Sequence, residues 1–80
     1  MANILLVEDD ENLAYMLCEN LEIEGFEVKH INKGAKALAE LEMNLADLLL
    51  MDVDLEDNIS GFDVAESVRM VYPTLPIIFT

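Results

Sequence analysis

Carboxylates are the residues of this chain best placed to do chemistry, and their spacing is uneven. Glu8-Asp9-Asp10-Glu11 follows the apolar run Ile4-Leu5-Leu6-Val7, and Asp52, Asp54, Glu56 and Asp57 follow Leu48-Leu49-Leu50-Met51. If the two runs are neighbouring strands, both clusters emerge at one edge of a sheet, with several carboxylates within a few ångströms of one another. Two such charges repel by roughly 4 kcal/mol at a separation of about 4 Å and an effective dielectric near 20, so the arrangement asks for a cation. An all-oxygen ligand set suits Mg²⁺, Mn²⁺ or Ca²⁺ rather than zinc. Mg²⁺ usually takes one or two protein carboxylates and fills its shell with water and phosphate oxygens, which points to phosphate chemistry. An Asp at a strand end beside such an ion can also be the nucleophile toward a phosphoryl group. Glu8, Asp9 and Asp52 are the candidate functional set. Asp54 stands evenly between ligand surroundings and solvated loop, while Asp10, Asp57 and Asp63 read as helix caps or solvated groups, as the helix dipole favours.

The elements that must position these groups alternate. Residues 3 to 7 are a short apolar run, the pattern of a strand buried on both faces in a parallel sheet. Leu13, Met16, Leu17 and Leu21 then repeat at helical spacing, with Asp10 as N-cap and Gly25 ending the helix. Phe26 to Ile31 is a weaker, partly polar strand at a sheet edge. Asn32 is placed to cap a second helix with Ala35, Leu38, Leu41 and Leu45 inward. Lys33 and Lys36 come early in that helix, and Glu40 and Glu42 late, so its charges oppose the dipole. Asp47 to Val53 is a second fully buried strand. Ser60 with Asp63 resembles a capping box and opens a third helix with Phe62, Ala65, Val68 and Tyr72 inward, ended by Pro73. Pro76 to Thr80 is a fourth strand. The order β-α-β-α-β-α-β implies an α/β fold with a parallel sheet and right-handed crossovers. Ligands in such sheets bind beyond the carboxyl ends of the strands.

Composition narrows the function classes. Eighty residues fit one domain. A net charge of −13 argues against nucleic-acid contact and against docking on an anionic membrane. A 54 % apolar content excludes an acidic disordered tail. Cys18, the only cysteine, leaves no disulfide framework and suggests a reduced, cytoplasmic setting. It reads as core or near-core, and the methionines read as core filler. His30 reads as ordinary surface on an edge strand, with no second His or Cys spaced to share a metal. The apolar runs are too short to span a bilayer, and the N-terminus lacks the pattern of a signal peptide.

Ile4-Leu5-Leu6-Val7-Glu8-Asp9-Asp10, Leu48-Leu49-Leu50-Met51-Asp52 with Gly61-Phe62, and Pro76-Ile77-Ile78-Phe79-Thr80 together resemble the receiver domain of bacterial two-component response regulators. The match runs the length of the chain in order. The resemblance implies a phosphorelay role in which Asp52 takes a phosphoryl group from a phosphohistidine on a sensor histidine kinase or phosphotransfer protein. It further implies that Glu8 and Asp9 hold Mg²⁺ together with Asp52, that the Asp54 backbone carbonyl is a further ligand, and that Thr80 is a switch hydroxyl reporting phosphorylation. Two departures stand out. Glu56 occupies a position where the family usually carries Pro, in a loop to Gly61 that looks one residue longer than usual. A whole receiver also has a fifth strand, in the order 2-1-3-4-5, with a phosphate-contacting lysine, whereas this chain ends at the fourth strand. Residues 1–80 are therefore expected to be the N-terminal two-thirds of a receiver, either part of a longer protein or completed by a partner chain. The fourth strand is expected to be an exposed edge open to homodimer or strand-exchanged assembly.

Two other readings stay open on the residues alone. One is a receiver-like interaction or dimerisation module, or a fragment inactive without the lysine. The other is a haloacid-dehalogenase-type phosphatase, since Asp52-Val53-Asp54 after an apolar strand fits its Asp-x-Asp start. Against the second, that motif usually lies on the first strand, ahead of the Mg²⁺ acids.

Overall fold

A computed structural model describes residues 2–55 and 59–80. Glu56 and Asp57, the acidic residues expected to depart from the family pattern or to be solvated, lie outside the described residues. Four strands form one parallel sheet: β1 (Asn3–Val7), β2 (Glu27–Ile31), β3 (Leu48–Met51) and β4 (Ile77–Phe79), in the order β2-β1-β3-β4. Between them run α1 (Glu11–Ile23), α2 (Ala37–Met43) and α3 (Gly61–Val71). The expected alternation, parallel pairing and strand order are all present, and β2 is an edge as its partly polar sequence suggests.

Central position explains why β1 is apolar on both faces. Ile4, Leu5, Leu6 and Val7 are all buried, because helices lie above and below a strand that is paired on both sides. Strand alternation and register divide the faces. Leu5 and Val7 lie beside Leu49 and Met51 and pack with Leu41, Val64 and Val68 of α2 and α3. Ile4 and Leu6 lie beside Leu48 and Leu50 on the opposite face, where α1 packs against β2.

β3 departs from the expectation of burial on both faces. Leu49 and Met51 are buried, whereas Leu48 and Leu50 are only half-buried. The reason is the placement of α1. Its buried residue is Ala14, whose small side chain allows close approach, and the helix sits toward β2. Leu13 and Met16, expected inward, are exposed, and Leu17 and Leu21 are half-buried.

The helix ends follow their sequence signals, with one exception. Asp10 Oδ1 accepts hydrogen bonds from the N–H groups of Asn12 (3.0 Å) and Leu13 (3.1 Å), capping α1. Gly25 follows the helix at φ +98°, and the N–H groups of Gly25 and Phe26 donate to the carbonyls of Glu22 and Leu21, a Schellman closure that needs a residue tolerant of positive φ. Ser60 Oγ accepts from Phe62 N–H (3.1 Å) and caps α3. The exception is α2. Asn32 does not cap it, because a 3-10 turn at Gly34–Lys36 comes first. Gly34 is buried so tightly that an added Cβ would come within 2.7 Å of Leu55 Cδ1 and 2.8 Å of Val64 Cγ2. In α2, Ala37 and Leu41 are buried and Leu38 half-buried, while Ala35, within the turn, and Leu45, past the helix's end at Met43, are exposed. In α3, Val64, Ala65 and Val68 are buried, but Phe62 is exposed and packs its ring on Phe79, with centroids 4.7 Å apart.

The turn into β4 is tied by the only arginine. Arg69 Nη1 donates to the carbonyls of Tyr72 (3.3 Å), Pro73 (3.1 Å) and Leu75, gathering the backbone oxygens of the turn that follows α3. Hydrogen bonds from a charged donor contribute about 1.5–3 kcal/mol each at most, and the three here share one nitrogen. Arg69→Met keeps the aliphatic stem and removes the donor. It is expected to destabilise the fold by about 2 kcal/mol in urea denaturation, and an unchanged midpoint would show that the turn holds without it.

Candidate functional site

Register brings the acidic clusters together. Val7 pairs with Met51 and Met51 with Phe79, so the next residues, Glu8, Asp52 and Thr80, stand in a row just beyond the carboxyl ends of β1, β3 and β4. Three backbone hydrogen bonds continue the ladder past the strand ends: Glu8 N–H to Ile31 O (3.1 Å), Asp52 N–H to Val7 O (3.0 Å) and Thr80 N–H to Met51 O (2.9 Å). This is the edge where parallel α/β sheets place ligands. A groove of about 360 Å³ lined by Asn3, Glu27, Asn44 and Leu45 opens at the opposite, amino-terminal edge, away from these groups.

Glu8, Asp9 and Asp52 each offer a carboxylate oxygen, and the three lie within 4.8 Å of one another. Glu8 is 1 % exposed, whereas Asp9 and Asp52 are half-buried. Glu8 Oε2 accepts from Asp10 N–H at 3.2 Å, but Oε1 is buried without a hydrogen-bond partner. A carboxylate in that position is costly. Burial raises its pKa most, the hydrogen bond from Asp10 N–H pulls it back down, and the neighbouring Asp52 and then Asp9 carboxylates push it up again, to about 7. Without a cation, Glu8 is therefore half protonated near neutrality.

These features fit a divalent cation. The orphaned oxygen needs a partner, the donors are all hard oxygens, and the repulsion is relieved by positive charge. Asp54 is exposed and its side chain lies outside the cluster; its N–H donates to Asp52 Oδ1 (3.1 Å), and it bridges antiparallel to Ser60. Asp54 thus orients the Asp52 carboxylate through its backbone. Gly61 N–H donates to Val53 O (2.8 Å), which draws the start of α3 against the segment that carries Asp52.

The site also includes two residues to which the sequence assigns other places: His30, read as ordinary surface, and Asn32, read as a helix cap. The His30 side chain is 22 % exposed, and its Nε2 lies 2.8 Å from the Glu8 carbonyl oxygen. Asn32 Nδ2 donates to Glu11 Oε1 at 3.3 Å. The available signal was register: Leu6 pairs with His30, which sets the imidazole on the same sheet face as Glu8 and two residues before it.

Comparison with known proteins agrees with this geometry. The pattern of the response regulator receiver domain family matches residues 4–80. The chain is 44 % identical over 69 residues to the sensory transduction protein RegX3 of Mycolicibacterium smegmatis, covering 86 % of this chain and 30 % of that protein. It spans about a third of the length of the curated relatives it matches. The fold superposes on the response regulator protein TrrA of Thermotoga maritima, solved in complex with Mg(2+)-BeF, with a TM-score of 0.93 at 33 % identity over 99 % of this chain and 68 % of that one. TrrA solved in complex with the histidine kinase ThkA gives a TM-score of 0.91 at 33 % identity, over 99 % of this chain and 67 % of that one. Sheet order, acidic edge and sequence pattern thus converge, and the chain belongs to the response regulator receiver domain family.

Proposed function

We propose that this chain works in phosphorelay signal transduction, accepting a phosphoryl group on Asp52 with Mg²⁺ bound beside it and passing the change to an output or partner. The observation that carries the reading is the trio Glu8, Asp9 and Asp52 within 4.8 Å, with one Glu8 oxygen buried and unpartnered. Glu8, Asp9 and Asp52 would hold the ion, Asp9 most directly, with the Asp54 carbonyl as a further ligand. Bound there, Mg²⁺ neutralises charge on the transferring phosphoryl oxygens.

The chain's own residues do the rest. Asp52 presents an oxygen for in-line attack on phosphorus, oriented by the Asp54 N–H. The donor's P–N bond breaks, and the departing imidazole nitrogen keeps the electron pair and takes up a proton. Thr80, one residue past β4 and in register with Asp52, is where a hydroxyl could meet the new phosphoryl oxygens and report them to the β4 edge.

The donor is a phosphohistidine of a sensor kinase or phosphotransfer protein, a reading supported by the likeness to TrrA, which was solved with ThkA. Residues 1–80 are taken as about the first two-thirds of a receiver, consistent with their 68 % coverage of the TrrA chain. Among the described residues no helix is long and apolar enough to cross a membrane, in keeping with a cytoplasmic role. The chemistry is that of a phosphoacceptor rather than an enzyme turning over an external substrate.

The test is incubation with acetyl phosphate and Mg²⁺, followed by intact-mass measurement. One phosphoryl group per chain is expected, labile to hydroxylamine as an acyl phosphate, absent with EDTA and absent in Asp52→Asn. Label that persists in Asp52→Asn would overturn the assignment. Multiple turnovers of a generic phosphate ester would favour the haloacid-dehalogenase chemistry instead, and the absence of both label and turnover would favour an interaction module.

A further inference from the structure

We propose that His30 is a positioning residue for the acidic edge, fixing the Glu8–Asp9 peptide so that the two carboxylates converge on Asp52. This role rests on the reading of Glu8, Asp9 and Asp52 as a Mg²⁺ site.

One contact carries it. His30 Nε2 lies 2.8 Å from the backbone oxygen of Glu8. A carbonyl oxygen only accepts, so Nε2 carries the proton and donates. The bond spans two strands: His30 projects from edge strand β2, and Glu8 is the first residue past β1. The restrained carbonyl belongs to the peptide unit between the buried carboxylate of Glu8 and the half-buried one of Asp9. Rotation of that peptide would swing the two side chains apart.

Such a restraint is needed here. Three carboxylates within 4.8 Å repel one another, and the easiest relief is for the short segment between β1 and α1 to splay. The backbone bond from Glu8 N–H to Ile31 O holds one end of the Glu8 residue, and His30 holds the other. Asn32, on the same side, ties Glu11 at the start of α1. His30 Nδ1 faces Glu11 Oε2 at 4.0 Å, so Glu11 is the one carboxylate beside the ring's other nitrogen among the described residues. The imidazole thus spans the segment, with one nitrogen at each end of the acidic run Glu8 to Glu11. His30 touches neither phosphorus nor metal in this scheme; it acts through Glu8.

The experiment compares wild type, His30→Gln and His30→Leu by calorimetric titration with MgCl₂, with thermal melts in EDTA as a control for folding. Gln keeps an N–H donor at similar reach, whereas Leu fills the space without one. Loss of the restraint is expected to weaken Mg²⁺ binding roughly three- to tenfold in His30→Leu, the range of one net hydrogen bond, while His30→Gln stays within about twofold of wild type. Equal affinity in Leu and wild type would overturn the proposal, as would a Gln variant as weak as Leu. If His30→Leu does not fold, His30→Gln alone decides by the same criterion. The ring tautomer, read from imidazole ¹⁵N shifts of the wild type, is an independent measurement: a proton on Nδ1 rather than Nε2 in the neutral ring overturns the contact itself. Failure of the wild type to bind Mg²⁺ would instead reject the metal reading, and the two failures are distinct.

Discussion

Raising the pH in the absence of divalent cations is expected to destabilise the wild-type protein, and Glu8→Gln is expected to abolish most of that dependence. Glu8 is buried with one oxygen unpartnered, and its pKa stands near 7 in the fold. In the unfolded chain it returns to the ordinary carboxylate range. The folded state therefore holds its proton more tightly. The stability this gives is fully present below the unfolded pKa and is lost as pH rises through the folded value of about 7. Between about pH 5 and pH 8 the loss amounts to roughly 2–3 kcal/mol, or a drop in Tm of about 10–20 °C for a domain this small.

Mg²⁺ should reverse the trend. The ion binds the deprotonated site, so its affinity rises with pH and binding releases a proton. Millimolar MgCl₂ then protects most where the metal-free protein is weakest. Glu8→Gln removes the titrating group while keeping the shape and a polar end. In EDTA it should be more stable than wild type at pH 8 and similar at pH 5. Urea denaturation at the two pH values, with EDTA and with MgCl₂, gives the four numbers required. A wild type equally stable at both pH values in EDTA would refute the account, as would a Glu8→Gln variant that keeps the full pH slope.

The acidic edge was legible because its signal is local: an apolar run broken by carboxylates appears twice, and a parallel sheet puts both breaks on one edge. Caps were legible for the same reason, since Asp10, Gly25 and Ser60 act within three residues of themselves. The misses all involve tertiary placement. Leu13 and Met16 repeat as a buried helix face should, yet α1 lies against β2 with Ala14 as its buried residue, and these two side chains are exposed. Ala35 fits a helical period that the 3-10 turn at Gly34 breaks, in a place where Leu55 and Val64 leave no room for a Cβ, and Leu45 falls past the end of α2 at Met43. Phe62 belongs by spacing to the buried face of α3 but packs its ring, tilted by 57°, against Phe79 at the sheet edge. His30 shows the same limit at the site. An isolated histidine in a polar strand carries no pattern, and only the pairing of β1 with β2 shows that it reaches Glu8.

Gly61→Ala should damage fold and site together, because Gly61 is where the two meet. An added Cβ would overlap the Asp52 carbonyl oxygen and come within 2.9 Å of Val53 Cα and 3.0 Å of the Asp52 carbonyl carbon. All three are backbone atoms, so no side chain can rotate away. Gly61 is also held there: its N–H donates to Val53 O, and Ser60 caps the helix that it begins. The methyl group leaves two ways out. If the start of α3 retreats, the Gly61–Val53 bond is lost and Val64, Ala65 and Val68 are pulled from their packing. If the Asp52–Val53 backbone retreats, Asp52 leaves the position in which it converges with Glu8 and Asp9. Overpacking of this kind costs about 1–3 kcal/mol and the lost hydrogen bond about 1 more, a large share of the stability of so small a domain. A fall in Tm of at least about 10 °C is expected. The route taken shows in Asp52 labelling by acetyl phosphate at a temperature where the variant is folded. Retreat of α3 lowers Tm and spares the label, whereas retreat of the strand end lowers both. A variant that melts with wild type and labels at the wild-type rate would mean that the close approach at Gly61 is not what fixes the phosphoacceptor.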